Sequence, residues 1–272
     1  MNLSHISEKN VQAWFLNGQY HREDGPAIIW TDGGKEWYLN GKLHREDGPA
    51  IISPNGKQEW YLNGKLHREG GPAVIIYPHG KEEWWINGML HRDNGPAVIR
   101  QDGSEEWWIN GKLHREDGPA SVYSNGNLQW YFDGKLHRED GPALIYQDGR
   151  KQWHFHGNCH REDGPAVVYP DGTQLWYFYG IRHRIDGPAK IYANGLQEWW
   201  LHGKLHREDG PAITREDGTQ EWWVNGKRHR ENAPAIIYSN GKTEWWINNK
   251  FFKKSQNKIL IKNLDIDIKD GF

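Results

Sequence analysis

The tetrapeptide His-Arg-Glu-Asp brings an imidazole, a guanidinium and two carboxylates together in four residues. In a single copy it would suggest acid–base work, with the imidazole carrying a proton and the guanidinium clamping an anion. Its His-Arg half, however, recurs at His21, His44, His67, His91, His114, His137, His160, His183, His206 and His229. Every spacing is 23 residues except the 24 between His67 and His91. A catalytic centre is ordinarily single and concave. A set written into every repeat reads instead as architecture, with His and Arg bonding turn backbone and a neighbouring unit's carboxylate. No catalytic residue is assigned, and the chain is read as a non-enzyme.

A second set is local. Within Trp153-His154-Phe155-His156-Gly157-Asn158-Cys159-His160, the His and Cys residues have the composition of a transition-metal site. Strand alternation would put His154 and His156 on one side. Yet each replaces a repeat residue: His154 stands for Tyr or Trp, His156 for Asn and Cys159 for Leu. No second Cys-x-x-Cys or His-x-x-x-His half accompanies them. His154, His156 and Cys159 are therefore a weak candidate set. No metal is assigned and no cofactor is expected.

The elements that position these residues follow from the same period. A Trp column keeps register at Trp14, Trp37, Trp60, Trp84, Trp107, Trp130, Trp153, Trp176, Trp199, Trp222 and Trp245. The unit reads K-x-E-W-W-I-N-G-K-L-H-R-E-D-G-P-A-I-I-Y-x-D-G, with ten full copies and a terminal half-repeat across residues 11–250. Such a period marks an array whose units pack mainly on their neighbours. Asn-Gly, as at Asn40-Gly41, and Asp-Gly, as at Asp32-Gly33, punctuate each unit. Both tolerate the positive φ of tight reversals. No interval between them is long enough for a helix. The expected fold is all-β, an elongated array of tandem 23-residue β-hairpin repeats forming a twisted sheet or solenoid. Each unit should contribute two strands, E-W-W-I-N and P-A-I-I-Y, joined by G-K-L-H-R-E-D-G. Residues 1–10 are read as an N-terminal cap and 251–272 as a C-terminal capping segment. In the latter, Leu264, Ile266 and Ile268 alternate with charged residues.

Alternation sorts the strand faces. The first Trp and the residue two later (Leu39, Leu62, Ile86, Ile109, Phe132, Phe155, Phe178, Leu201, Val224) share a side, as do Ala50 and Ile52 on the other strand. These are assigned to the core. The opposite side carries Tyr38, Tyr61, Trp85, Trp108, Tyr131, Tyr177, Trp200, Trp223 and Trp246, and it also admits Glu59, Gln129, Ser121 and Lys190. It is read as partly wet. Its aromatic column either stiffens a thin sheet through cross-strand pairs or forms a binding surface. Two breaks in the period stand out. The extra residue in Val74–His79 should force a bulge, and Ala233, where other copies have Gly, should change its turn.

The charge balance, 34 Lys+Arg against 36 Asp+Glu, removes the attraction that non-specific nucleic-acid binding needs. No apolar stretch approaches a membrane span, and residues 1–13 lack a signal-peptide core. The single Cys fits a reducing compartment. The expected location is the cytoplasm, without secretion.

The unit resembles the MORN repeat, a β-hairpin repeat of about this length. The segment W-Y-L-N-G-K-L-H-R-E-D-G-P-A-I-I-S-P-N-G from Trp37 to Gly56 matches it in the Asn-Gly turn, the His, the following Gly and the closing Gly. It departs in having His-Arg-Glu-Asp-Gly-Pro-Ala for a shorter His-Gly-x-Gly. The H-R-x-x-G-P-A wording is similar to tandem-repeat proteins of giant DNA viruses of amoebae. The resemblance implies a scaffold for protein–protein contacts, in a viral assembly or at a membrane surface; for a viral protein the location would be host cytoplasm or virion. Another protein is thus the expected partner, with self-association through strand edges as a further contact. The alternative is a carbohydrate-binding module using the exposed Trp and Tyr columns, because aromatic faces stack on sugars.

Overall fold

In the computed structural model, residues 3–78 and 80–252 are described. They form an all-β repeat array with no helix among the described residues. The C-terminal capping strand expected at Leu264, Ile266 and Ile268 lies outside them. The chain divides into two compact units, with the division falling between Asn158 and Cys159.

From the second to the tenth copy each repeat holds four very short strands rather than two longer ones, whereas the first keeps Val11–Leu16 as a single strand. In the copy around Trp37 they are Lys35–Glu36, Tyr38–Leu39, Lys42–Leu43 and Ile51–Ile52. The first and last belong to a continuous antiparallel sheet, where Lys35–Glu36 pairs with Ile51–Ile52 and the latter with Gln58–Glu59. The middle two close a separate hairpin, with Tyr38 opposite Leu43. Trp37 is the point where the chain passes from one to the other. Its N–H donates to the Ala50 carbonyl at 2.8 Å, and its own carbonyl accepts from His44 at 3.0 Å. The ladder cannot run past Ala50, because the next residue outward is Pro49, which has no N–H. From the second repeat on, the Pro-Ala pair thus splits a would-be five-residue strand in two; in the first, Val11–Leu16 stays whole and pairs with Leu3–Glu8 on its other side.

The turns follow the sequence. Asn40 and Gly41 have φ of 51° and 73°, positive at both central residues as a type I′ hairpin requires. The same geometry recurs where Asn is replaced, at Asp133, His156, Tyr179 and His202. In the first unit, Leu3–Glu8 adds a strand ahead of the repeats by pairing with Val11–Leu16.

The extra residue near Val74 produces no bulge. Val74, Ile75 and Ile76 pair in unbroken register with Glu83, Glu82 and Lys81. The insertion is absorbed by the loop, since a surface turn accepts a residue at far less cost than a ladder does.

The core is narrower than expected and differently placed. All ten Pro-Ala alanines, from Ala27 to Ala235, are at 0% exposure. Beside them the residue immediately after is buried (Ile28, Val74, Val98, Leu144, Val167, Ile213, Ile236), whereas Ile52 and Ile99, two after the alanine, are only half-buried. The Trp column is half-buried throughout. The face read as partly wet is half-buried along its aromatic column and at Glu59, Gln129 and Lys190, while Ser121 is fully enclosed and Glu106 and Glu221 are buried. Polar residues are tolerated there because they are paired, Glu106 with Arg100 at 2.8 Å and Glu221 with Arg215. Ser121 is the exception, its Oγ lacking a hydrogen-bond partner among the described residues. An unsatisfied buried hydroxyl costs stability, and a branched aliphatic would add apolar burial. Ser121→Val, the residue at Val98 one repeat earlier, should stabilise the chain by about 1 kcal/mol. Urea unfolding would detect this, and a lower midpoint would count against an unpaired hydroxyl.

Candidate functional site

The His-Arg-Glu-Asp segments do structural work that can be followed atom by atom. In nine copies the Arg lays its guanidinium over the Trp of its own repeat, from 3.8 Å for Arg207 on Trp199 to 4.2 Å for Arg138 on Trp130. Where an Asp stands two residues on, the Nε donates to it, as in Arg45 to Asp47 at 2.9 Å. The Nη1 donates to the proline carbonyl, as in Arg92 to Pro96 at 2.9 Å. The carboxylate bonded is therefore the repeat's own, not a neighbour's as expected. Bonding to Arg45 holds the exposed Asp47 below the usual carboxylate range. A cation over an indole is worth about 0.5–2 kcal/mol depending on exposure.

The glycine of this bend makes room for the guanidinium. A Cβ on Gly48 would lie 2.8 Å from Arg45 Cζ. Ala233, which carries a Cβ, nonetheless does not change the turn. Residues 231–233 keep the same bend, Arg230 still covers Trp222 at 3.9 Å, and its Nη1 reaches Pro234 O at 3.2 Å.

The histidines tie one repeat to the next. Asn40 N–H donates to His21 Nδ1 at 3.1 Å, and the equivalent bond follows at every repeat histidine through Asn248 and His229. An accepting Nδ1 requires a neutral ring protonated on Nε2. Two backbone bonds complete each junction of this kind, illustrated by Gly64 N–H to Leu43 O at 2.7 Å and Arg45 N–H to Tyr61 O at 3.0 Å. Within each compact unit the hairpins are thereby joined in a row.

The second aromatic column is half-buried and largely committed to the carboxylate two residues before it. Tyr38 donates to Glu36 at 2.9 Å, Trp85 to Glu83 at 3.0 Å, Trp108 to Glu106 at 3.0 Å, Trp200 to Glu198 at 2.9 Å, Trp223 to Glu221 at 3.2 Å and Trp246 to Glu244 at 2.8 Å. Tyr131 donates to Gln129 at 3.2 Å, and Tyr177 accepts from Arg182 at 3.1 Å. Tyr61 is also half-buried, and burial raises its phenol pKa. Burial, then Glu36, pushes the Tyr38 phenol up to about 12.

The open concavities lie on another side, between successive His-Arg-Glu-Asp-Gly-Pro segments. One is bounded by Arg22–Pro26 and His44–Asp47 over a floor of Trp37 and Leu39. Equivalent clefts hold Trp107 with Ile109, Trp130 with Phe132, and Trp176 with Phe178. Residues assigned to the core thus form cleft floors. Phe132 and Phe178 are exposed, because the Pro-Ala split turns this stretch out of the sheet into the hairpin row. The rims carry exposed carboxylates, including Glu23, Asp24, Glu46 and Asp47.

One repeat departs from the polar pattern. Phe178, Tyr179, Ile181 and Ile185 are all exposed large apolar residues. The sequence signal for them was present: Tyr179 stands for Asn, Ile181 for Lys and Ile185 for an acidic residue.

The weak metal set is occupied otherwise. Nδ1 and Nε2 of His154 lie 3.4 Å from Gly157 O and 3.3 Å from Gln152 Oε1. The His156 ring stacks on His137 at 4.5 Å between centroids. Cys159 lies 3.9 Å from Ala166 O, and burial pushes its thiol up to about 11. Among the described residues no group of three or more His, Cys, Asp or Glu is arranged to hold a metal ion.

No protein-family model matches the chain, and a search of curated proteins finds no significant match.

The stacked histidines generate a pH effect. Burial and then the neighbouring His156 lower the His137 pKa, opposed by Glu139 at 3.8 Å from Nε2. His183 is lowered likewise by burial and His202. A depressed imidazole takes up its proton later in the folded chain than in the unfolded one. Stability should therefore be intact above the ordinary histidine value of about 6.5 and fall as pH drops through it. His156→Asn removes one cause of the depression and restores the usual turn residue. It should reduce the loss of melting temperature between about pH 7.5 and pH 5.5. An unchanged pH profile would rule out the stacked pair as the cause.

Proposed function

We propose that the chain is a non-enzymatic repeat scaffold whose surface is read by other proteins. What supports this most is that the chemistry-bearing residues are consumed by their own array. The imidazole Nδ1 holds the next repeat, and the guanidinium covers an indole and bonds Asp and Pro. Between these segments lie clefts with an apolar floor and a carboxylate rim. Apolar floors with polar rims suit side chains presented by a partner. The MORN-like wording of the unit points the same way, and a viral assembly or membrane surface is the setting it implies.

The carbohydrate-binding reading rests on the half-buried aromatic row from Tyr38 to Trp246. Most of its polar edges are already bonded to Glu, which leaves only ring faces for a sugar. The two readings are separated by binding the intact chain to a glycan array and, in parallel, cross-linking it to proteins of its native setting. The scaffold reading expects no saturable glycan binding and protein cross-links that map to cleft residues. Sugar binding lost on Trp108→Ala and Trp223→Ala would overturn it.

A further inference from the structure

In the repeat that begins at Trp176, three surface columns that are mostly polar elsewhere, those of Tyr179, Ile181 and Ile185, change together beside the apolar Phe178. Ile181 and Ile185 are 52% and 82% exposed, and Phe178 and Tyr179 are each 47% exposed. They are contiguous. The Phe178 and Tyr179 rings lie 4.9 Å apart, and Phe178 is the cross-strand partner of Ile181. Phe178 and Ile185 line one cleft of ≈ 860 Å³ together with Trp176 and Pro165.

The Tyr179 ring stacks on His160 at 4.2 Å between centroids, but neither its backbone nor Ile185 favours the fold. Tyr179 holds a bulky side chain at φ 46°, in the left-handed region where the other turns mostly place Asn. Ile185 projects into solvent from a bend whose other copies carry Glu or Asp. Single exposed apolar side chains are ordinary on protein surfaces. A contiguous group beside a cleft marks an interaction site.

The charge around the cleft says what fits it. The Arg184 guanidinium is committed to Trp176 at 4.2 Å and to Asp186 at 2.9 Å, and Arg161 bonds Asp163 at 2.8 Å. The arginines are only 23–25% exposed, while Glu162, Asp163 and Asp186 are 80–82% exposed. The rim therefore presents negative charge outward. We propose that this repeat is a docking site for an extended peptide segment of a partner protein, carrying large apolar side chains flanked by Lys or Arg. The apolar side chains would seat against Phe178 and Ile185, and the basic residues would meet the rim carboxylates. The proposal rests on the scaffold reading and names the partner's chemistry.

The test is to pan a phage-displayed library of random peptides on the intact chain and compare it with the double variant Ile181→Lys, Ile185→Glu. Both new residues are those of the same columns in other repeats, and a melt of the variant checks the fold. Enriched peptides should combine aromatic or aliphatic residues with Lys or Arg. They should bind the variant at least about tenfold more weakly, as expected on losing central apolar contacts. Peptides that bind the variant equally would overturn this site while leaving the scaffold reading standing. A full chain that enriches no peptide would count against both. Sedimentation in which the native chain self-associates and the variant stays monomeric would make the occupant a second copy, and the peptide proposal would fall.

Discussion

The indole of each repeat is a large apolar plate at the point where the chain leaves the sheet, and it is too wide for the strand bearing it to enclose. The guanidinium at 3.8–4.2 Å closes over that plate. This constraint organises the copy around it. The Arg must run back across its own bend, so the bend residue has no Cβ in nearly every copy. Its Nε and Nη donors must be bonded once they are partly withdrawn from water. The Asp two residues on and the Pro carbonyl are placed to accept them. The segment Arg-Glu-Asp-Gly-Pro is in this sense a clamp for one tryptophan.

Because the clamp covers apolar surface with polar atoms, little aliphatic interior is needed. The fully buried alanines are small, and most larger apolar residues are half-buried. Cohesion between repeats accordingly leans on hydrogen bonds. Each junction of this type has two backbone–backbone bonds and one from a turn N–H to an imidazole. An imidazole can accept only while neutral, so the contact that joins repeats is also one that acid can break. The composition, poor in aliphatics and rich in Trp, Gly and His, is what such a design requires.

Periodicity made the class of fold legible, and the Asn-Gly turns were legible because their φ demands are local. What the sequence could not convey was the effect of Pro49 on Tyr38: a missing donor on one strand ends a ladder on its neighbour. The five-residue strand therefore looked continuous, and strict alternation placed Leu39 and Phe178 in the core when they turn outward to floor the clefts. Polar tolerance marks a half-buried face without saying which of its polar residues are enclosed. Glu106 and Glu221 look like markers of a wet face, yet they are buried because each meets an Arg and a Trp Nε1. Reading Gly as a requirement at Ala233 failed because the same bend forms with Ala there and Arg230 still covers Trp222.

In a periodic surface, a partner that recognises only the repeat finds equivalent positions along it, and its occupancy is spread among them. Selecting one position requires a copy that differs in what it exposes. Changes away from the clefts, such as Ser121 in the core or the inserted residue in the surface loop after Ile76, alter stability or loop length without changing a cleft's chemistry. The repeat at Trp176 differs where a partner would feel it: apolar groups replace a Lys and an acid column beside an existing cleft, while the clamp below is unchanged, with Arg184 still over Trp176. Architecture and address are thus carried by different columns of the same unit, and one can vary without loss of the other.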